Sequence, residues 1–599
     1  MSGQSVRPSQ FITNYGPGAL LETPEGPSVM ADFDHCGLFA DPSGRSPPIV
    51  RDITDYEITD QRLSNALLGG AHIFAIPTND DLNVPGTKGL YRSFTFPQWS
   101  LCVSPAHRNN ANVIYRLKYE SKTNLTGCPE CGPLPKSDAW QKARREAITF
   151  VRACPAGHLD DILWTATIKH KDDCNGQTFD WVGTGSSLAN IDIVCRDCRA
   201  SENMRTIFTS HWPCSGRFPE TGSYRGEDCA NRSTVLLKGA ANLRIPEIVS
   251  ALTIPPNDTP VHRILGRSKF QSALAGASAL GNVDSKVAIL KIAKATPNLL
   301  RSNEAAVLEE ATEDELLGAL EDLRKANSEL TPHEMKVDEF NKLKTASKHG
   351  APPMAAKHPS MPHWFEVVKK DIVEVERPNK TSIRITPVNR LRVVMVQLGY
   401  TRPVGDNKPD LVKRTYHDGV DTWYPGVELS GEGIFLSMPA GAIQPVGKHA
   451  EEWYAHWKQT GQPQHHPVFV WWHSYAHRLL SALSVDSGYA SASIRERVFV
   501  EIDENTGRAD GGVLLYTSQP GGDGTLGGLV ALTSDFARIL AGAEAYVDSC
   551  SNDPICEETA YKRGHSNGAA CYACLMASET SCEHRNMGLD RNLLRENMP

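Results

Sequence analysis

Fifteen cysteines, gathered into clusters that include three Cys-x-x-Cys pairs, constrain this chain more than any other feature. A tight Cys-x-x-Cys turn aims two thiolates at one point, half of the tetrahedral donor set that zinc takes. The pattern reads as metal rather than disulfide because the opening, MSGQSVRPSQ, has no apolar secretory core. No run of 18 or more apolar residues occurs, and the most apolar stretch, Pro467 to Trp472, is too short to span a bilayer. These features predict a soluble, cytoplasmic protein.

The cysteines fall into three sets. Cys128 and Cys131 form one pair, and Cys154 with His158 follows in ACPAGH, so these four predict a Cys3His site. The rival reading has His158 capping a helix, with Asp160 and Asp161 behind it. Cys195, Cys198, Cys214 and Cys229 predict a second, ribbon-like site. Cys174 is left over, either as a buried thiol or as a replacement for His158. Cys36 and Cys102 stand alone and read as small core hydrophobes. The C-terminal set is Cys550, Cys556, Cys571, Cys574 and Cys582, five thiols for four places, with Cys550 or Cys556 as the spare. Donor sets dominated by thiolates predict two to three closed, structural Zn²⁺ sites, because a catalytic zinc keeps an open position.

With 599 residues the chain is long enough for several domains. The expected fold class is mixed α/β and multidomain, divided into a β-rich segment 1–127, zinc-ribbon-like modules over 128–262, a helical insertion over 263–362 and an α/β domain with a Cys-rich site over 363–599. The insertion follows from AVLEEATEDELLGALEDLRKANSEL, whose apolar residues recur every three or four positions. Thr331 and Glu334 in TPHE predict a capping box. The last segment reads as strands around GIFLSM, RVFVEID and GGVLLYTS, with a long helix over 468–488. A net charge of -8 excludes a chain that is basic all over but leaves room for a local basic groove.

Three motifs bear on chemistry. Gly441 to Lys448 approaches a P-loop, but its spacing is one residue too long and His449 stands where Ser or Thr would hold magnesium. The chain thus carries no motor and is not expected to be an enzyme. His473 and His477 lie four apart on a predicted helix, on one face. Ser474 replaces the glutamate that a metallohydrolase would use as base, so the pair reads as helix packing. A metal-dependent nuclease or hydrolase using both histidines is the enzymatic rival. The loop carrying Gly521, Gly522, Gly524, Gly527 and Gly528 runs from a strand into a helix and, with Arg495, is a candidate contact for DNA phosphate or a partner.

Several segments carry a resemblance: RPSQFITNYGPGA, ACPAGHLDDILW, LRVVMVQLGYTR, HSYAHRLLSALSVDSGYASASIRERV, YTSQPGGDGTLGGL and HSNGAACYACLMASETSCEHRNMGLDR. In order and over nearly the full length, they resemble the DrmB component family of DISARM anti-phage defence systems. The C-terminal part also resembles the zinc-binding domain of MrfA-type repair helicases. That domain's early Cys, CxxC and final Cys before N-x-x-L-D correspond to Cys556 or Cys550, Cys571, Cys574 and Cys582, with Asn586, Leu589 and Asp590. The resemblance implies a non-catalytic subunit that partners a separate superfamily-2 helicase, DrmA, and helps engage phage DNA. A pure assembly hub without DNA contact is the third reading.

Overall fold

The computed structural model describes residues 6–596 except 24–25, 39–48, 51, 87–88, 106, 108–110, 117–123, 136–144, 172, 175, 184–186, 255–258, 280–282, 298, 302–303, 326–330, 352–364, 378–379, 405–407, 414–415, 419–420, 487–490, 520–527, 560–565 and 579–580. The chain divides into two units. One comprises Met1–Glu57, Ile73–Val249 and Val396–Val427, and the other Ile58–His72, Ser250–Met395 and Glu428–Pro599. Among the described residues no helix is long and apolar enough to cross a membrane.

The first unit is built from short strands. A four-stranded sheet runs in the order Leu159–Asp160, Phe150–Ala153, Arg232–Leu237, His211–Pro213. A six-stranded sheet runs Ser201–Asn203, Asp192–Cys195, Phe179–Val182, Asn112–Arg116, Trp99–Cys102, Arg145–Ala147. Side chains alternate between faces along a strand, so Ile193 and Cys195 are buried while Asp192 faces out. Trp99, Ile114, Phe150, Trp164, Phe179 and Ile193 belong to one apolar core.

The largest sheet has strands Ser382–Thr401, Asp421–Ser437, Arg508–Gln519 and Ile494–Asp503 side by side in that order, the last two wholly within the second unit. The last two pair antiparallel, with Val498 opposite Val513. The segment at 390–400 is strand. Its run of Val393, Val394, Met395 and Val396 is buried without alternation, as a strand covered on both faces requires.

The helix Pro467–Asp486 lays Val468, Trp471, Trp472, Tyr475, Leu479 and Leu483 into one core with Ile494, Val498, Val513 and Leu515. Each large aromatic buries roughly 150–250 Å², about 4–6 kcal/mol of gross stabilisation at ~25 cal/mol per Å². The opposite pleat of the strand Ile494–Asp503 faces the helix Pro332–His349. There Phe499 stacks on Phe340, and Arg497 Nε donates to Glu339 Oε2 at 2.7 Å. That helix begins at Thr331, capped reciprocally with Glu334, as the sequence predicts. Helices between Pro260 and Lys325 pack on one another through Ile264, Phe270, Ile289, Leu308 and Leu316. The fold is thus mixed helix and sheet, with cysteine clusters of the zinc-ribbon kind.

Candidate metal centres

Among the described residues five groups each bring four donor atoms to within 4.8 Å of one another. Three lie in the first unit. Cys154, His158, Cys214 and Cys229 cluster at one end of the four-stranded sheet. Cys154 follows the strand Phe150–Ala153, His158 precedes Leu159–Asp160, Cys214 follows His211–Pro213, and Cys229 stands shortly before Arg232–Leu237. The antiparallel register pairs Ala153 with both Leu159 and Thr234, and Pro213 with Arg232, so all four donors meet at the strand ends. Cys154 Sγ lies 3.3 Å from His158 Nδ1. Gly157, at φ 86°, makes the tight return between them; a Cβ there would lie 2.0 Å from Val412 Cγ2.

His170, Cys174, Cys195 and Cys198 form the second group. Phe179 pairs with Cys195, which brings the segment before Phe179 to the Cys195–Cys198 turn. Cys174 and Cys195 sulfurs are 3.7 Å apart, and Cys198 Sγ is 3.4 Å from His170 Nδ1. Gly176 passes so close that a Cβ would lie 2.5 Å from Cys195 Sγ. Backbone N–H groups of Lys171 and Ala200 pull the Cys198 thiol down to about 6, favouring the thiolate that binds metal.

Cys102, His107, Cys128 and Cys131 form the third group. His107 Nε2 lies 3.3 Å from Cys128 Sγ and 3.4 Å from Cys131 Sγ. Its Nδ1 donates to Ala111 O at 3.0 Å, which leaves Nε2 with the lone pair a metal needs.

In the second unit Cys550, Cys556, Cys571 and Cys574 come together. The Cys550–Cys571, Cys556–Cys574 and Cys571–Cys574 sulfur separations are 3.4, 3.7 and 3.7 Å. A disulfide needs about 2.05 Å. A regular tetrahedron with zinc–sulfur bonds of ~2.3 Å has edges of about 3.8 Å, so these four sulfurs fit zinc. Burial pushes the Cys574 thiol up to about 11 in the metal-free chain, whereas hydrogen bonds from Cys550 and the Ala573 N–H outweigh burial at Cys571 and hold it at about 7. A dication is what allows all four to ionise together.

The fifth group joins His473 and His477 to Glu496 and Cys582, all buried. His473 Nε2 lies 3.2 Å from Cys582 Sγ and 2.8 Å from Glu496 Oε1, and His477 Nε2 lies 3.2 Å from the same oxygen.

These groups regroup the donors expected from sequence. Cys128 and Cys131 do not join Cys154 and His158, and Cys195 and Cys198 do not join Cys214 and Cys229. Each pair takes its partners from another segment, brought to the Cys195–Cys198 turn by the pairing of Phe179 with Cys195 and to the Cys128–Cys131 hairpin by packing between sheets. Cys102, buried with Val113 and Tyr115, also stands beside His107, Cys128 and Cys131, and Cys174 stands with His170 rather than in place of His158. Cys36 alone remains as expected, buried with its Sγ donating to Phe33 O. Cys550 and Cys556 both stand with the Cys571–Cys574 turn, and Cys582 faces His473 instead. His473 and His477 do lie on a buried helix, but their Nε2 atoms converge on Glu496 rather than packing as apolar surface. Arg495 sits half-buried opposite Tyr516 in the strand Ile494–Asp503. Of the glycine loop, Gly521, Gly522, Gly524 and Gly527 lie outside the described residues, and Gly528 is exposed.

Two family models match the chain. A domain of unknown function, DUF8724, covers residues 7–245, and the MrfA Zn-binding domain covers residues 475–575. The second span holds the whole Cys550, Cys556, Cys571, Cys574 group. The chain is also 28% identical over 551 residues to the DISARM protein DrmB of Bacillus paralicheniformis, covering 85% of this chain and 90% of that protein. The chain is therefore similar to a DISARM DrmB protein along most of its length and carries an MrfA-type zinc-binding domain in its second unit.

Proposed function

We propose that this chain is a non-catalytic, zinc-scaffolded component of a bacterial anti-phage defence system, where it partners a separate superfamily-2 helicase and helps it engage phage DNA. The observation that carries this reading is the extent of the resemblance to DISARM protein DrmB, which spans nearly all of both chains rather than one shared module. The MrfA Zn-binding domain match adds a helicase-linked element on a chain whose only P-loop-like stretch, Gly441 to Lys448, lacks the required spacing. Burial of His473 and His477, both 0% exposed, speaks against the nuclease reading, because a hydrolytic metal must offer a position to water and substrate.

The test is co-expression with the helicase encoded beside this chain. We expect the two to co-purify. DNA crosslinking to this chain within the complex, weakening as salt rises, is the expected sign of phosphate contact. Co-purification without any crosslink reduces the role to an assembly hub. Failure to co-purify overturns the reading, as does DNA cleavage by the purified chain supplied with Mn²⁺ or Zn²⁺.

A further inference from the structure

The geometry points to a second metal site in the C-terminal unit: His473 Nε2, His477 Nε2, Glu496 Oε1 and Cys582 Sγ hold one Zn²⁺ ion in a closed, buried tetrahedron. Two of its four donors, His473 and Cys582, fall outside the matched MrfA Zn-binding segment at 475–575, so this site is distinct from the four-cysteine one. It does not depend on the partner reading.

The proton inventory carries the argument. His473 Nδ1 lies 3.1 Å from Gly588 O, and His477 Nδ1 lies 2.6 Å from Leu575 O. A carbonyl only accepts, so each Nδ1 carries the proton and donates it. Both Nε2 atoms therefore arrive as lone pairs unless the rings are doubly protonated. Both are aimed at one carboxylate oxygen, Glu496 Oε1. Without a cation, one solution is two imidazoliums beside one carboxylate and a thiol. That leaves a net positive charge among side chains with 0% exposure at both histidines and at Glu496, an expensive arrangement. A second protonates Glu496, but a single hydroxyl serves one ring and leaves the second Nε2 facing oxygen. A third, one imidazolium beside one carboxylate, is neutral, but it leaves the other ring's Nε2 lone pair against Glu496 Oε1. One Zn²⁺ resolves every conflict at once. Two neutral imidazoles, a carboxylate and a thiolate balance the dication, and the fixed Nδ1–H donors supply the orienting bonds that zinc-bound histidines use.

Two further observations agree. Glu496 Oε2 is buried and has no hydrogen-bond partner among the described residues, while Oε1 faces both imidazoles. The Asn586 N–H donates to Cys582 Sγ at 3.2 Å, as backbone amides do to metal thiolates. Strand alternation explains the placement: Glu496 shares the pleat of Ile494 and Val498, which faces the helix Pro467–Asp486. The ion would join that helix, the strand Ile494–Asp503 and the segment around Cys582.

Zinc counted on the intact full-length chain by native mass spectrometry tests this. The double variant His473→Ala/His477→Ala is expected to lose one ion relative to the unaltered chain while the remaining ions stay. An unchanged count overturns the proposal. Because the double variant opens two cavities in this core, Glu496→Gln gives a second reading with the shape preserved. It is expected to release one equivalent to a chelator at least 10-fold faster than the unaltered chain, with the other equivalents unaffected. Release indistinguishable from the unaltered chain overturns the site.

Discussion

Charged side chains pair in the second unit, and Glu428, whose side chain stays 33% exposed, shows what that does to pH dependence. Arg392, fully buried, donates from Nη2 to Glu428 Oε2 at 2.8 Å, and Arg263 binds the same oxygen. Burial alone would raise this carboxyl, but the two guanidiniums outweigh it and hold it at about 2. The folded value lies below the unfolded one of ~4.3. The pairing therefore contributes its full stability above about pH 5 and loses it as pH falls toward 2. Glu428→Gln is expected to be less stable than the unaltered chain by roughly 1–2 kcal/mol at pH 7. In urea unfolding that difference should shrink steadily between pH 5 and pH 3. A difference that stays constant with pH would show that the charge plays no part.

At the scale of elements, the donor groups make the strand ends the functional positions. If Cys102 is a ligand with His107, Cys128 and Cys131, Cys102→Ser should cost the protein one zinc ion, whereas Cys36→Ser should leave the count unchanged. Both sulfurs are buried, at 2% and 1% exposure, so the contrast separates ligation from packing. Equal counts in the two variants would return Cys102 to the core. Cys102 also shows where sequence reading stops. The Cys-x-x-Cys pairs were legible because both donors sit on one turn. Their partners were not, because Cys102 ends a strand of the six-stranded sheet and meets the separate hairpin of Cys128 and Cys131 only through tertiary packing. A usable signal did exist: the histidines of the first-unit groups lie within five residues of a cysteine, in CVSPAH, CPAGH and HKDDC. Cys582 carried no such cue toward His473 and His477, since more than 100 residues of chain separate it from them and only the α/β packing of the second unit closes the gap. Long elements such as the helix Pro467–Asp486 and the capped helix at Thr331 were readable from periodicity and capping chemistry, which are local.

Across the whole molecule, metal and apolar packing divide the work unequally between the two units. Strands assigned to the four- and six-stranded sheets of the first unit run two to six residues. Elements so short fix few hydrogen bonds for the chain entropy they cost, and three donor groups tie the ends of these strands and their loops. The second unit holds the strands Ile494–Asp503 and Arg508–Gln519, of 10 and 12 residues, and a core with Trp453, Trp471, Trp472 and Tyr475. Binding free energy at a structural zinc site is folding free energy, so its removal acts most where packing is least. Stripping the intact chain with a strong chelator is therefore expected to abolish hydrogen-exchange protection of the amides in Phe150–Ala153, Phe179–Val182 and Asp192–Cys195. Protection in Ile494–Asp503 and Arg508–Gln519 should persist, reduced mainly beside Glu496. Equal loss in both sets of strands would mean that the second unit leans on its metal as heavily as the first, and that its aromatic core cannot hold the sheet unaided.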